Sequence, residues 1–137
     1  MKKLKFMLVI SIFSLTLSFP IFASEQSNQK ITIEPRASYV FSSVASGISP
    51  TGYAGDCSLE NKGSGTLTIS LQKYTSGSWA TVSGTSSSKS FTNTTICAHS
   101  KSKTLSKGKY RCKTYVKATV GSHTDSRTVY SSTLTIN

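Results

Sequence analysis

Four cations and a phenol hold the clearest chemical pattern in the 137-residue chain: Lys109, Arg111, Lys113, Tyr115 and Lys117. All five positions are odd, and a β-strand places every second side chain on the same face. The segment Lys109–Val120 therefore reads as a strand with a cationic row on one face. Its other face carries Tyr110, Cys112, Val116, Ala118 and Val120. From Asn61 to Thr124 there is no acidic residue, while ten lysines or arginines occur. A row of one sign suits a partner whose phosphates, sulfates or carboxylates repeat along a line. Solubility and protection of a strand surface give the same row a purely structural reading. Lys101 and Lys103 extend the odd-numbered run and are expected to widen the surface if their strand lies beside it.

Other candidate chemistry is sparse. Cys97-Ala98-His99 puts a thiol and an imidazole on one strand face, but no orienting Asn or Asp accompanies them. His123-Thr124-Asp125 falls in an expected hairpin turn and reads as a local contact. Gly63-Ser64-Gly65-Thr66 lacks the lysine and the following helix of a phosphate loop. Three separated cysteines and two histidines do not form the close ligand pairs of a structural metal site. Tyr74 and Trp79 flank a turn and are expected to pack across a hairpin. The sequence thus predicts no catalytic residue, no cofactor and no metal.

The elements that would position the row are all strands. After residue 24 no apolar pattern of helical period runs for three turns, whereas Val, Ile, Thr, Tyr and Phe recur in short bursts suited to strands. Strands are expected at Ser38–Val44, Tyr53–Glu60, Thr66–Tyr74, Trp79–Val82, Ser90–Cys97, Lys109–Val120 and Arg127–Ile136, with a short pairing segment near Ser102–Leu105. Loops or turns are expected at Ser46–Gly52, Asn61–Gly65, Ser76–Ser78, Gly84–Ser88 and Gly121–Ser126. Tyr53, Gly55, Cys57 and Leu59 are expected inward on one strand, and Leu67, Ile69 and Leu71 on the next. Seven or eight antiparallel strands in one domain, residues 38–137, describe an all-β, immunoglobulin-like sandwich.

The N-terminus carries a different message. Lys2, Lys3 and Lys5 precede an apolar run from Phe6 to Leu17, then Pro20, Ala23 and Ser24. This is the charge, apolar and cleavage order of a secretory signal peptide, residues 1–23, and the run is short of the roughly 20 residues of a membrane span. A polar arm, 24–37, follows. Loss of the three leader lysines lowers the formal net charge from +11 to +8. With no cysteine at the cleavage point and no apolar tail at Thr133–Asn137, the chain is expected to be secreted without a covalent anchor.

Export makes the cysteines candidates for oxidation. Tyr110 stands two residues before Cys112, the tyrosine-corner spacing of immunoglobulin-like domains, which makes Cys57–Cys112 the first expected bridge. It would close a loop of about 55 residues, worth about 4 kcal/mol in the chain-entropy model. Cys97–Cys112 and three buried thiols are the competing arrangements. A leftover thiol could join two chains.

Short motifs carry one resemblance: Glu34-Pro35-Arg36-Ala37-Ser38-Tyr39, Ser78-Trp79 with Val82, Gly108-Lys109-Tyr110 and Asp125-Ser126-Arg127-Thr128. The chain resembles, over most of residues 34–130, an uncharacterised family of small secreted proteins of Gram-positive bacteria. The resemblance implies an exported immunoglobulin-like β-sandwich and supplies no activity; the cysteines are not part of the family's pattern. The functional expectation is a non-catalytic module docking on an anionic polymer or surface: a cell-wall polymer, an anionic glycan, nucleic acid or a membrane. The alternative is an effector or toxin-like protein acting on a protein partner or another cell.

Overall fold

The computed structural model describes residues 39–137, so the expected signal peptide, the whole polar arm and the first residue of the strand expected at Ser38–Val44 lie outside the described residues. Seven strands and no helix make up the described chain: β1 (Phe41–Ser49), β2 (Gly52–Thr75), β3 (Ser78–Thr81), β4 (Ser87–Ser102), β5 (Gly108–Val120), β6 (His123–Tyr130) and β7 (Leu134–Ile136). They form one curled antiparallel sheet.

The curl follows from the length of β2. Its 24 residues would extend about 80 Å if straight, far beyond the breadth of a domain of this size. The strand bends between Ser58 and Gly65, where the register with β4 shifts twice. Its first half pairs with β1 and the end of β4, and its second half with the start of β4, β3 and β5. Beyond β5 the sheet continues into β6, with β7 alongside the start of β5. The bend brings β1 against β5 and β6.

Asn61–Gly65, expected as a loop, is therefore strand. Glycine at 63 and 65 lets β2 pass close to the end of β5, since a Cβ on Gly63 would lie 2.8 Å from Val120 Cγ2. Other boundaries move for related reasons. β1 continues through Ser49, so the turn is confined to Pro50-Thr51. The strand expected at Ser90–Cys97 extends to Ser87–Ser102 as β4, kinked where Asn93 adopts a positive φ of 51°, while Lys103 and Leu105 lie beyond its end and donate backbone hydrogen bonds to the Thr51 and Pro50 carbonyls. The last hairpin turn is only Gly121-Ser122, which places His123, Thr124 and Asp125 in β6 rather than in a turn. Ser131–Thr133 separates β6 from β7. At Ser76-Gly77, positive φ at both residues gives the two-residue hairpin turn whose twist matches its strands.

Inward alternation holds in the central strands. Tyr53, Cys57 and Leu59 from the first half of β2 and Leu67, Ile69 and Leu71 from the second are buried, together with Tyr110, Cys112, Val116, Ala118 and Val120 of β5. A buried polar chain ties the facing parts together: Thr114 Oγ1 donates to Ser46 Oγ (2.9 Å), which donates to the Cys112 carbonyl (3.1 Å). Each group in it has a partner, as burial of polar atoms requires. Tyr110 hydroxyl meets Ser106 Oγ four residues upstream at 3.1 Å, a side-chain partner in place of the backbone contact of a tyrosine corner. All three cysteines are free and buried, so neither the Cys57–Cys112 nor the Cys97–Cys112 bridge is present. Cys57 stands directly across from Cys97, and Cys112 from Leu71.

Candidate functional site: the cationic face of β5

Lys109, Arg111, Lys113, Tyr115 and Lys117 project from the face of β5 opposite the core, spanning about 27 Å of strand. Lys109, Tyr115 and Lys117 are exposed, while Arg111 and Lys113 are half-buried. Cross-strand partners share a face in an antiparallel sheet, so register identifies the neighbours of the row. On the β2 side they are Gln72, Ser70, Thr68 and Thr66, and on the β6 side Tyr130, Thr128 and Ser126. Thr135 of β7 stands beside Lys109. Every one is uncharged. The cations are thus flanked by hydroxyls, an amide and one phenol, with no carboxylate among these partners.

The row is not uniform. Arg111 Nε donates to Gln72 Oε1 at 2.7 Å. Its guanidinium carbon lies 4.4 Å from the Trp79 ring centroid and 4.0 Å from that of Tyr130. Trp79 packs edge-on against its cross-strand partner Tyr74 at 5.3 Å, the hairpin packing expected from sequence, and Lys109 Nζ lies 5.8 Å from the Tyr74 ring. Arg111 is therefore a fixed charge held by aromatic rings, while Lys109 and Lys117 are tethered by long flexible stems. Replacing Arg111 with Ala removes two ring contacts and a charged hydrogen bond, an expected loss of about 2 kcal/mol. Urea unfolding followed by Trp79 fluorescence measures it. Arg111→Lys is expected to recover only part, because an ammonium lacks the planar stacking surface.

Gln72, Trp79, Tyr74 and Tyr130 belong to this face, and sequence reasoning does not assign them to it. Trp79 and Tyr74 are recognisable as a hairpin pair; nothing local places either beside Arg111, because the β2–β5 and β5–β6 registers are not encoded by alternation.

Lys101 and Lys103 do not extend the row. Lys101 pairs across from Tyr53 in the first half of β2, and both lysines line a separate cleft with Tyr53, Thr85, Ser86 and Ser87. Tyr53 hydroxyl donates to the Thr85 carbonyl there.

Cys97 and His99 are not tuned as a reactive pair. His99 Nε2 is hydrogen-bonded to Ser87 Oγ at 2.8 Å, and burial, followed by the charges of Lys101 and Lys89, lowers its pKa. Burial raises the Cys97 thiol pKa, with Lys89 opposing it. A thiolate–imidazolium pair needs both shifts reversed. Burial also raises Cys112, and pushes Cys57 up to about 11 with a smaller contribution from Cys97. His123 stacks on Tyr39 with centroids 5.3 Å apart, and Asp125 lies 3.8 Å from Arg127 Nε.

Fold and face together define an all-β chain with a one-signed, strand-borne surface. No family model, curated protein or solved structure matches the chain.

Proposed function

We propose that the protein is an exported, non-catalytic binding module that docks on an anionic polymer through the outer face of β5. Lys109, Arg111, Lys113 and Lys117 provide the charge, and Tyr115 adds a flat apolar contact. The observation that carries the reading is the neutrality of both flanks. Four cations stand in line with only Ser, Thr, Gln and Tyr as cross-strand neighbours, so their field is not cancelled on the sheet. Alternate positions on β5 are about 7 Å apart, a spacing that lets a linear polymer meet several cations at once. Hydroxyls and the Gln72 amide beside them can donate hydrogen bonds to phosphate, sulfate or carboxylate oxygens.

Export rests on the order of charge, apolar run and small residues in 1–23. The fold type proposed is the immunoglobulin-like sandwich, in keeping with the resemblance to the uncharacterised secreted family. Its support is the pairing order. β1, the first half of β2 and the end of β4 correspond to strands A, B and E; the second half of β2, β5 and β6 correspond to C, F and G. Here B and C are one bent strand.

The test is salt-dependent retention on immobilised heparin and on duplex DNA. Changing Lys109, Arg111, Lys113 and Lys117 together to Gln is expected to lower the elution salt markedly on both. On DNA, the slope of log affinity against log salt is expected to fall by up to about 3 to 4, one counterion for each cation engaged. A matched variant with Lys62, Lys89, Lys101 and Lys103 changed to Gln carries the same net charge and is expected to elute near the unaltered protein. Equal shifts for both variants would reduce the effect to net charge, and an unmoved first variant would end the proposal. Growth inhibition or protein capture surviving loss of the row would favour the effector reading instead.

A further inference from the structure

The geometry points to Cys57 and Cys97 as the protein's disulfide-forming pair, with Cys112 left as a thiol. Cys57 on β2 and Cys97 on β4 are direct cross-strand partners in an antiparallel ladder. Such partners have Cα atoms about 4.5 or 5.5 Å apart, and both values fall within the roughly 4.4–6.8 Å that a disulfide spans. Both side chains point to the buried face, at 0% and 4% exposure, so closing the bond needs no strand to flip.

Cys112 is held elsewhere. Its Sγ lies 3.5 Å from the Ala54 carbonyl oxygen, with Thr114 Oγ1 at 3.9 Å. Ala54 and Cys57 are about 10 Å apart along β2. Thr114 and Ile69 fill the space before Gly55 between them, so Cys112 cannot approach Cys57 without displacing core side chains.

The bond requires an oxidant, here a disulfide compound: a low-molecular-weight disulfide or the active disulfide of a thiol oxidoreductase. Among the described strands β4 pairs only with β2, and Cys97 is the less buried partner, so fraying of β4 exposes it first. The Cys97 thiolate attacks one sulfur of the oxidant, forming a mixed disulfide and releasing the first thiol. The Cys57 thiolate then attacks Cys97 Sγ and expels the second thiol. Two protons leave the protein, two electrons pass to the oxidant, and one S–S bond of the oxidant is exchanged for one in the protein. The product joins the first half of β2 to its edge strand. It does not depend on the docking proposal.

Non-reducing peptide mapping tests the inference on the purified full chain after incubation with oxidised glutathione under native conditions. Cleavage after lysine and arginine places the three cysteines on separate peptides. The expected result is a fall from three titratable thiols to one, a peptide pair joined through Cys57 and Cys97, and Cys112 alkylated only after unfolding. Cys112→Ser is expected to lose both remaining thiols, whereas Cys97→Ser retains Cys57 and Cys112 reduced. Three thiols retained, a stable glutathione adduct, or any bridge containing Cys112 would overturn the assignment. The unaltered protein alone decides it, so misfolding of a variant does not.

Discussion

Gly65→Val is expected to lower the stability of the chain by more than about 3 kcal/mol. Gly65 lies in β2 between two strands, opposite Phe91 of β4 and Ala118 of β5. A Cβ there would collide with the Lys117 carbonyl oxygen and would come within 2.8 Å of both Ala118 Cα and Phe91 Cζ. Two of these three atoms are backbone, so a rotamer change relieves only the contact with Phe91. Overpacking typically costs about 1–3 kcal/mol where side chains can adjust, and moving β5 backbone is expected to exceed about 3 kcal/mol for a branched residue. Against a total stability of about 5–15 kcal/mol, that is a large share of the folding free energy, and the urea midpoint falls accordingly. Far-ultraviolet circular dichroism and urea titration read the change. Gly77→Ala is the comparison: Gly77 has φ of 84°, and a Cβ added to it would meet no atom within 4 Å, so only the conformational cost of about 1 kcal/mol applies. Equal effects at the two sites would show that β2 does not pass β5 as closely as described. Because Gly65 neighbours Lys117 and Ala118 across the ladder, its replacement also displaces one end of the cationic row.

Leu67→Ala should lower the thermal midpoint by about 15 °C. Leu67 is fully buried and opposes Val116 of β5, at the centre of the packing between the facing halves of the sheet. Truncating a buried leucine costs about 2–5 kcal/mol, the larger values where neighbours cannot collapse into the space. Main-chain pairing on both sides of Leu67 restrains that collapse. Each kcal/mol corresponds to about 4–8 °C in a domain near 100 residues. Thr68, the next residue, points the other way and hydrogen-bonds Ser88 Oγ at 2.7 Å on the outer face; Thr68→Ala is expected to cost under about 1 kcal/mol. A thermal scan of both variants measures the contrast directly. A comparable loss at the two positions would mean that the alternation in β2, and with it the face assignment of its neighbour β5, is wrong.

Leu67 and Gly65 differ in how far local sequence reveals their roles. Leu67 is legible as core because Leu67, Ile69 and Leu71 alternate with polar residues. The hazard at Gly65 is not legible, since Asn61–Gly65 reads locally as a loop: Asn, Lys, Ser and two glycines are turn formers. What makes the segment strand is its pairing with β4 and β5, contacts more than 20 residues away in sequence. The same division runs through the site. Alternation puts Lys109, Arg111, Lys113, Tyr115 and Lys117 on one face of β5 and Cys112 on the other, and the burial pattern agrees. Extending the row to Lys101 and Lys103 by counting odd positions does not hold, because the end of β4 that carries Lys101 and leads to Lys103 pairs with the first half of β2, whereas the row lies beside the second half.

Sequence by itself determined the strand character, which residues of each central strand face the core, and the one-signed composition between Asn61 and Thr124. These follow from side-chain period and residue type, both local properties. Only tertiary structure decided that β2 bends through its glycines, that Trp79 and Tyr130 enclose Arg111, and that Cys57 meets Cys97. Each of those depends on register between distant strands, which is fixed by the closure of the whole sheet around one core.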